Sequence, residues 1–173
     1  MAITNQIQEL ISNPTPRKRV SIIKTVIVKE ATMLYGSRRI NTPVLAADLA
    51  RDLYKNADRE MLLIASLDSK CAPLSIEIVS IGNINTCIVS PREVFKHAIV
   101  SNATHIIAFH NHVSGVLTPS SEDIAVTKRL VECGNLLGIH LLDHIIIGEG
   151  HSYLSIREED LVSFNANQNN YLR

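Results

Sequence analysis

The chain has 173 residues, a length that suits one compact domain with a core large enough to fold without disulfides or a structural metal. Its 17 lysines and arginines balance 17 aspartates and glutamates, which excludes the basic footprint of a dedicated duplex-DNA binder and leaves only weak nucleic-acid contact open. Three separated cysteines without a C-x-x-C pair, and no apolar run near the roughly 20 residues that span a bilayer, predict a cytoplasmic protein without membrane contact.

The first elements in chain order are an arm, a strand and a helix. Residues 1–17 are polar and interrupted by prolines, which predicts a short arm ahead of the domain. The β-branched run Arg19–Glu30 predicts a strand, a candidate for the first strand of the sheet. Thr42 and Pro43 then supply an N-cap and a first-turn proline, so we expect a helix that runs to about Asn56.

Strand signals follow this helix. Alternating and β-branched residues predict strands at Glu60–Leu67 and Leu74–Ile81, joined through a turn at residues 68–70 that has hairpin composition. A further short strand is predicted at Thr86–Val89. Ser90 and Pro91 then begin a second helix that ends near residues 102–103. The residues predicted on its inner face are Val94, Phe95, Ala98 and Ile99.

The last third of the chain predicts a strand, a helix and a strand. Thr104–His110 is short and almost wholly apolar, which suits a central strand buried on both faces. A helix begins at Pro119-Ser120 and closes at Gly138, and the strand Leu141–Ile147 follows. The inner face of this helix is predicted to carry Ile124, Thr127, Leu130 and Val131. The element order predicts an α+β or α/β-like domain over residues 18–163 with a mixed sheet, and a polar tail at 164–173.

Two histidines stand at the end of the predicted central strand. His110 and His112 are two residues apart, so in extended chain both side chains leave the same face, with Cα atoms roughly 7 Å apart. Asp123 lies at the start of the next helix, and Gly115 and Pro119 in the intervening turn allow its carboxylate to fold back over the histidines. Two nitrogens and one oxygen leave a fourth zinc position for water, the pattern of a catalytic site.

The same residues also fit a purely structural interpretation. In Ser120-Ser121-Glu122-Asp123, the first serine is a plausible N-cap, and the aspartate is placed to accept a backbone amide and to oppose the helix dipole. A lone H-x-H pair is also a weak metal signal, because imidazole serves many other roles. It is the joint pattern that favours a metal site.

That joint pattern, HNHVSGVLTPSSED from His110 to Asp123, resembles the signature of the JAMM (MPN+) metallopeptidases, which is H-x-H, seven residues, Ser, two residues, Asp. The similarity is closer to the RadC-type branch of this superfamily. It extends from about Lys18 to Ile156 and includes DREMLLIASLD, SPREVFKHAIVSNATHIIAFHNH, SSEDIAVTKRL and LDHIIIGEG. The resemblance implies a curved mixed sheet flanked by helices, the JAB/MPN-type fold, with zinc at one edge.

The resemblance also implies roles for the matching residues. His110, His112 and Asp123 correspond to the zinc ligands, and Ser120 to a hydroxyl donor that stabilises the oxyanion formed during hydrolysis. Glu60 matches the remote glutamate that accepts a proton from the attacking water. Spacing alone does not select Glu60 over other glutamates, and a solvated acid at a strand start is the alternative interpretation.

Two departures and one further histidine qualify the resemblance. The loop Val113–Leu117 is apolar and lacks the proline usual after the second histidine, so it has a different shape or contacts a partner. The 173 residues contain no counterpart of the helix-hairpin-helix region found in longer RadC relatives. His144 matches a recurrent family position, where it either supports the site together with Asp143 or is a satisfied core histidine.

The leading functional prediction is therefore a zinc-dependent peptidase or isopeptidase acting on a protein or peptide substrate. The alternative is a DNA-repair or DNA-processing accessory, which is the role RadC-type names carry and which the neutral charge weakens. The literal string His-Asn-His at 110–112 also suggests a nuclease, but HNH nucleases distribute those residues over a ββα unit. A scaffold that has lost catalysis is disfavoured, because the ligand set, Ser120 and Glu60 are all present.

Overall fold

This computed structural model describes residues 20–82 and 89–164, and these residues contain three helices and five strands. The helices are α1 (Pro43–Tyr54), α2 (Pro91–Val100) and α3 (Ser121–Leu137). The strands are β1 (Met61–Leu67), β2 (Pro73–Ile81), β3 (His105–Asn111), β4 (His140–Ile147) and β5 (Tyr153–Ser155). None of the described helices combines the length and the apolar character needed to cross a membrane.

The five strands form one mixed sheet in the order β2-β1-β3-β4-β5. β3 pairs in parallel with β4, and the other neighbours are antiparallel. Because β3 and β4 are parallel, the chain crosses over between them through α3, which brings the start of α3 back to the end of β3. The prediction of an α+β domain with a mixed sheet flanked by helices is confirmed.

The two faces of the sheet carry separate cores, as the alternation of side chains along a strand requires. One face packs against α1 and includes Leu63, Ala65, Ile107, Phe109 and Ile145. The other face packs against α2 and α3 and includes Leu62, Ile64, Ile106, Ala108 and Leu141. Every residue of β3 is buried, as predicted for a strand covered on both sides. His110 belongs to the face that α3 covers.

The local signals for the helices hold with one exception. Thr42 caps α1 by accepting the Leu45 backbone amide at 3.3 Å, with Pro43 as the first helical residue. In α2, Val94 is buried as predicted, but Ile99 is 52% exposed, so its assignment to the inner face was wrong. This ten-residue helix buries a stripe of only three residues, and Ile99 lies beyond its border in the last turn.

The described residues of the predicted strand Arg19–Glu30 form no strand, and this prediction is wrong for residues 20–30. The segment forms no regular secondary structure and is exposed, with Val20 92% and Ile23 82% exposed. β-branched residues favour a strand only where a neighbouring strand is available, and in the described sheet this segment pairs with neither edge.

Other differences concern short or undescribed segments. β5 was missed, because three residues that pair with Ile145–Ile147 are too few to give a periodic signal. Thr86–Val89 falls outside the described residues except for Val89, which is not in a strand. Residues 1–17 and the tail beyond Phe164 also lie outside the described residues, so the predicted arm and tail stay predictions.

We predict that Gly134→Ala destabilises the domain. Gly134 lies in α3 where the helix meets the chain entering β4, and a Cβ there would stand 2.5 Å from the Ile139 carbonyl oxygen, a backbone atom that cannot turn away. Overpacking of this kind costs roughly 1 to 3 kcal/mol, and the gain in helix propensity offsets somewhat less than 1 kcal/mol. Urea unfolding should therefore show a loss of about 0.5 to 2 kcal/mol.

Gly36→Ala is the matched control, since nothing lies within 4 Å of the added methyl group. It should change the free energy of unfolding by less than about 0.5 kcal/mol, as surface substitutions usually do. A Gly134→Ala protein as stable as the control would show that α3 and β4 do not pack this closely.

Candidate metal centre

Three predicted ligands come together where the central strand ends and α3 begins. His110 lies at the end of β3 and is fully buried, His112 follows one residue after the strand, and Asp123 is 3% exposed in the first turn of α3. Each offers one ligand atom, and these atoms all lie within 4.8 Å of one another. The structure thus contains a largely buried His-His-Asp group that could hold a metal ion.

The two imidazole rings approach each other through their Nε2 atoms, which are 2.9 Å apart. His110 Nε2 lies 3.3 Å from Asp123 Oδ1, and His112 Nε2 lies 3.3 Å from Asp123 Oδ2. The Nδ1 atom of His112 is 2.6 Å from the Val116 carbonyl oxygen. Because a carbonyl only accepts, His112 Nδ1 carries the proton, and the neutral ring then directs its Nε2 lone pair at the other two residues.

Asp123 serves at the same time as a cap and as a member of the group. Its Oδ2 accepts hydrogen bonds from the Ser120 backbone N–H at 2.8 Å and from the Ser120 hydroxyl at 2.7 Å. Ser120 Oγ in turn accepts the Asp123 backbone N–H at 3.1 Å, which completes a capping box. Oδ1 makes none of these bonds and faces His110. The structural and functional interpretations of Asp123 are therefore compatible, because Oδ1 takes no part in the capping bonds, and Oδ2 caps the helix while it also lies 3.3 Å from His112 Nε2.

The electrostatics keep this carboxylate ionised. Burial alone would raise the pKa of Asp123, but the hydrogen bond and charge of His110 and the two hydrogen bonds from Ser120 outweigh burial and hold it well below its usual value. An ionised carboxylate in reach of two imidazole nitrogens is a suitable donor set for a divalent transition metal.

His144 lies directly behind His110 and is itself buried. Its Nε2 is 2.8 Å from His110 Nδ1, and its Nδ1 is 2.6 Å from the Thr127 hydroxyl oxygen. Burial, reinforced by the charge of His110, lowers the pKa of His144 well below its usual value. Of the two interpretations of His144, the one in which Asp143 supports its ring is wrong. The Asp143 carboxylate accepts the His144 backbone N–H instead, together with the Ser155 hydroxyl.

Glu60 lies at the same end of the sheet as the group. It immediately precedes β1, whose Leu62 pairs with His110, so the antiparallel register brings the Glu60 backbone toward His112. The Asn111 side chain joins the two segments, because its Oδ1 accepts the Met61 N–H at 2.8 Å and its Nδ2 donates to the Arg59 carbonyl at 3.2 Å. The residues on both sides of Glu60 are thus held against the end of β3.

The apolar loop after His112 borders the group. Gly115 adopts a left-handed conformation with φ 73°, and its N–H donates to the His112 carbonyl at 3.0 Å, so the chain turns sharply there. Val113 and Val116 are 60% and 55% exposed. The loop therefore presents an exposed apolar rim beside His112.

Sequence reasoning did not identify three contributors to this arrangement: Asn111, the Val116 carbonyl and the Thr127 hydroxyl. Strand alternation could have singled out Asn111, since it points away from its two histidine neighbours. The other two depend on tertiary geometry. Backbone carbonyls leave no trace in sequence, and Thr127 was predicted only as a residue on the inner face of its helix.

A mixed sheet covered on both faces by helices, with an H-x-H pair at the end of its central strand and an aspartate at the next helix start, defines a JAB-type domain with a potential metal centre. The profile of the RadC-like JAB domain matches residues 40–161. The chain belongs to the RadC-like JAB domain family.

Curated relatives from bacteria and archaea carry the same region. The chain is 44% identical over 128 residues to a UPF0758 protein of Clostridium acetobutylicum, covering 74% of this chain and 56% of that protein. It is 46% identical over 125 residues to UPF0758 proteins of Caldanaerobacter subterraneus and Methanosarcina mazei, covering 72% of this chain and 53% and 54% of those proteins. The chain thus spans about half the length of these relatives.

We predict that Asp143 makes the metal-free protein less stable as pH rises. Burial raises the pKa of Asp143 to about 7, against the lowering effect of hydrogen bonds from Ser155, His144 and Arg157. In the unfolded chain the pKa is about 3.9, so between these values the folded state retains a proton that the unfolded state has lost. The stabilisation is complete below about pH 4 and is lost as pH rises through about 7, with a slope of up to about 1.4 kcal/mol per pH unit.

The measurement compares urea unfolding of wild type and Asp143→Asn at pH 5, 6, 7 and 8 with a chelator present. Wild-type stability minus variant stability should fall over this range. Asp58→Asn, which alters an exposed acid paired with Arg59, is the control and should give a nearly flat difference. A difference for Asp143→Asn that stays constant or rises with pH would contradict a buried, protonated Asp143.

Proposed function

We propose that this chain is a zinc-dependent hydrolase of the JAMM type that cleaves peptide or isopeptide amide bonds. The observation that carries the proposal is the buried convergence of His110 Nε2, His112 Nε2 and the Asp123 carboxylate. Membership of the RadC-like JAB family supports the same class of chemistry. The substrate is a protein or peptide.

The donor set fits zinc. Two neutral imidazoles and one carboxylate are a typical three-residue set for catalytic zinc, which leaves one coordination position open for water or substrate. When bound, Zn²⁺ supplies a Lewis acid that polarises a carbonyl and lowers the pKa of water toward about 7. His110, His112 and Asp123 are the residues that would hold it.

Glu60 is proposed as the general base, which accepts a proton from the attacking water and passes it to the leaving amine. Its support is the family match and its position at the start of β1, at the sheet end where the histidines lie. Asn111 favours this role by fixing the backbone on both sides of Glu60. A carboxylate held on a strand end loses less conformational freedom when it meets the substrate than one on a loop.

Ser120 is proposed as the hydrogen-bond donor to the oxygen that becomes negatively charged as the amide is attacked. Its hydroxyl now donates to Asp123 Oδ2, so it must turn away from that oxygen to reach a substrate. This rotation of the hydroxyl does not break the whole capping box, because the Ser120 backbone N–H still donates to Asp123 Oδ2. Such donors lower the barrier by several kcal/mol in other hydrolases, roughly 3 to 4 kcal/mol for one donor.

The apolar rim favours a substrate with an apolar side chain next to the scissile bond. Val113 and Val116 stand exposed beside His112, and burying one of them under a substrate side chain contributes roughly 1.5 to 3 kcal/mol. The DNA-processing alternative draws on the same family resemblance, and the equal numbers of basic and acidic residues give it no support.

We predict that Glu60→Gln abolishes hydrolysis and leaves metal binding unchanged. An amide keeps the size of the side chain but cannot accept a proton in the pH range of catalysis, so kcat should fall by roughly 10²- to 10⁴-fold. Cleavage of a peptide library, followed by mass spectrometry, measures activity, and metal analysis of the same samples measures zinc.

The matched control is Glu122→Gln, the same substitution at an exposed acid in the first turn of α3. It should retain activity, because Glu122 is exposed and its carboxylate accepts the Ser121 hydroxyl at 3.0 Å and favours the helix dipole. Wild-type activity in Glu60→Gln would move the base elsewhere, and loss of zinc from that variant would make Glu60 a ligand.

A further inference from the structure

A continuous chain of buried hydrogen bonds runs behind the metal centre from His110 to Asp123. It joins the His110 ring to the His144 ring at 2.8 Å, the His144 ring to the Thr127 hydroxyl at 2.6 Å, and that hydroxyl to the Asp123 carbonyl oxygen at 2.7 Å. All four residues are 0 to 3% exposed. Water is therefore in no position to substitute for a missing partner.

The direction of each hydrogen bond follows from its fixed end. The Asp123 carbonyl can only accept, so the single proton of the Thr127 hydroxyl is donated to it, the usual bond of a helical threonine to the carbonyl four residues back. Thr127 Oγ1 must then accept from His144, which places the proton of His144 on Nδ1. A neutral His144 with its proton on Nδ1 offers a lone pair on Nε2.

The consequence reaches the ligand itself. Because His144 Nε2 accepts, His110 must donate from Nδ1, and the proton of a neutral His110 is then fixed there. Once a bound metal replaces the proton that a charged His110 carries on Nε2, that atom is left with a lone pair directed toward His112 and Asp123. The Val116 carbonyl fixes a proton on His112 Nδ1 in the same way. Both rings are thus set in the form that binds a metal, His112 by a neighbouring backbone and His110 by two side chains.

We propose that His144 and Thr127 are positioning residues that hold His110 in its metal-binding tautomer and tie its ring to the helix that carries Asp123. The inference rests on the proposed zinc site and deepens it. His144 reaches His110 from the adjacent strand, since it pairs with Ala108, two residues before His110 on the same face of the sheet. These hydrogen bonds join β3, β4 and α3, so a shift of α3 would move both His110 and Asp123.

The test uses Thr127→Val, which removes the hydroxyl and nearly preserves the shape of the side chain. Without its acceptor, His144 no longer favours the proton on Nδ1. The other tautomer would set an N–H against the N–H of His110. Zinc affinity, measured at a single fixed pH by competition with a fluorescent chelator, should fall roughly 10- to 100-fold, the usual effect of losing a hydrogen-bond partner of a ligand.

Thr127→Ser restores the hydroxyl without the methyl group and should bind zinc within about threefold of wild type, well inside the loss expected for valine. Thr104→Val makes the same exchange at the opposite end of β3 and should not change affinity. Long-range ¹H–¹⁵N spectra of the histidine rings provide the readout that a packing effect would not move. They should show His144 and His110 both protonated at Nδ1 in wild type, and a changed His144 tautomer in Thr127→Val.

Wild-type affinity in Thr127→Val, an equal loss in Thr127→Ser, or a wild-type His144 protonated at Nε2 would each overturn the inference while leaving the zinc site intact. A folded wild-type protein that binds no zinc would overturn the site and the inference together. His144→Gln and His144→Leu extend the test. Glutamine can accept and donate in place of the ring and should lose less affinity than leucine, and equal losses would argue against the hydrogen-bond role.

Discussion

The carboxylate of Asp123 both caps the start of a helix and completes the candidate metal centre. Oδ2 accepts two hydrogen bonds from Ser120, which stabilises the first turn of α3, while Oδ1 remains directed at His110. The capping box fixes where the helix starts, and the start of the helix fixes where the carboxylate stands. A buried acid would ordinarily resist ionisation, but here the donors around it favour the charged form. The hydrogen bonds from Ser120 thus contribute both to the position of the Asp123 carboxylate and to its charge.

The central strand provides the other half of the site. β3 is buried along its whole length, so its register relative to β1 and β4 is strictly determined by the two cores that it separates. His110 emerges on the face covered by α3, and Asn111, one residue later, points the other way and holds the start of β1. A shift of one residue would exchange these two side chains. The packing of the two hydrophobic cores therefore fixes the positions of His110 and Asn111.

Much of this could be predicted from sequence because the relevant signals are local. The H-x-H spacing, the apolar run before it and the Pro-Ser start of the next helix each identify an element by its own residues. The strand prediction for residues 20–30 was wrong because it depends on a non-local condition. A strand needs a neighbouring strand to pair with, and composition does not reveal one. The hydrogen-bond partner of the His144 ring could not be predicted for a similar reason. Asp143 is its neighbour in sequence, but strand alternation turns the two side chains to opposite faces of the sheet. The actual partner, Thr127, lies in a different element, α3.

The central claim is that His110, His112 and Asp123 hold one zinc ion. Titration of zinc into the metal-free protein, followed by X-ray absorption at the zinc edge, tests it most directly. We predict about one zinc ion per chain, bound by two imidazole nitrogens and by oxygen donors, and loss of that ion in either His110→Ala or His112→Ala, because a three-residue set cannot spare one ligand. A folded wild-type protein that binds no zinc, or full retention of zinc in both variants, would contradict the account.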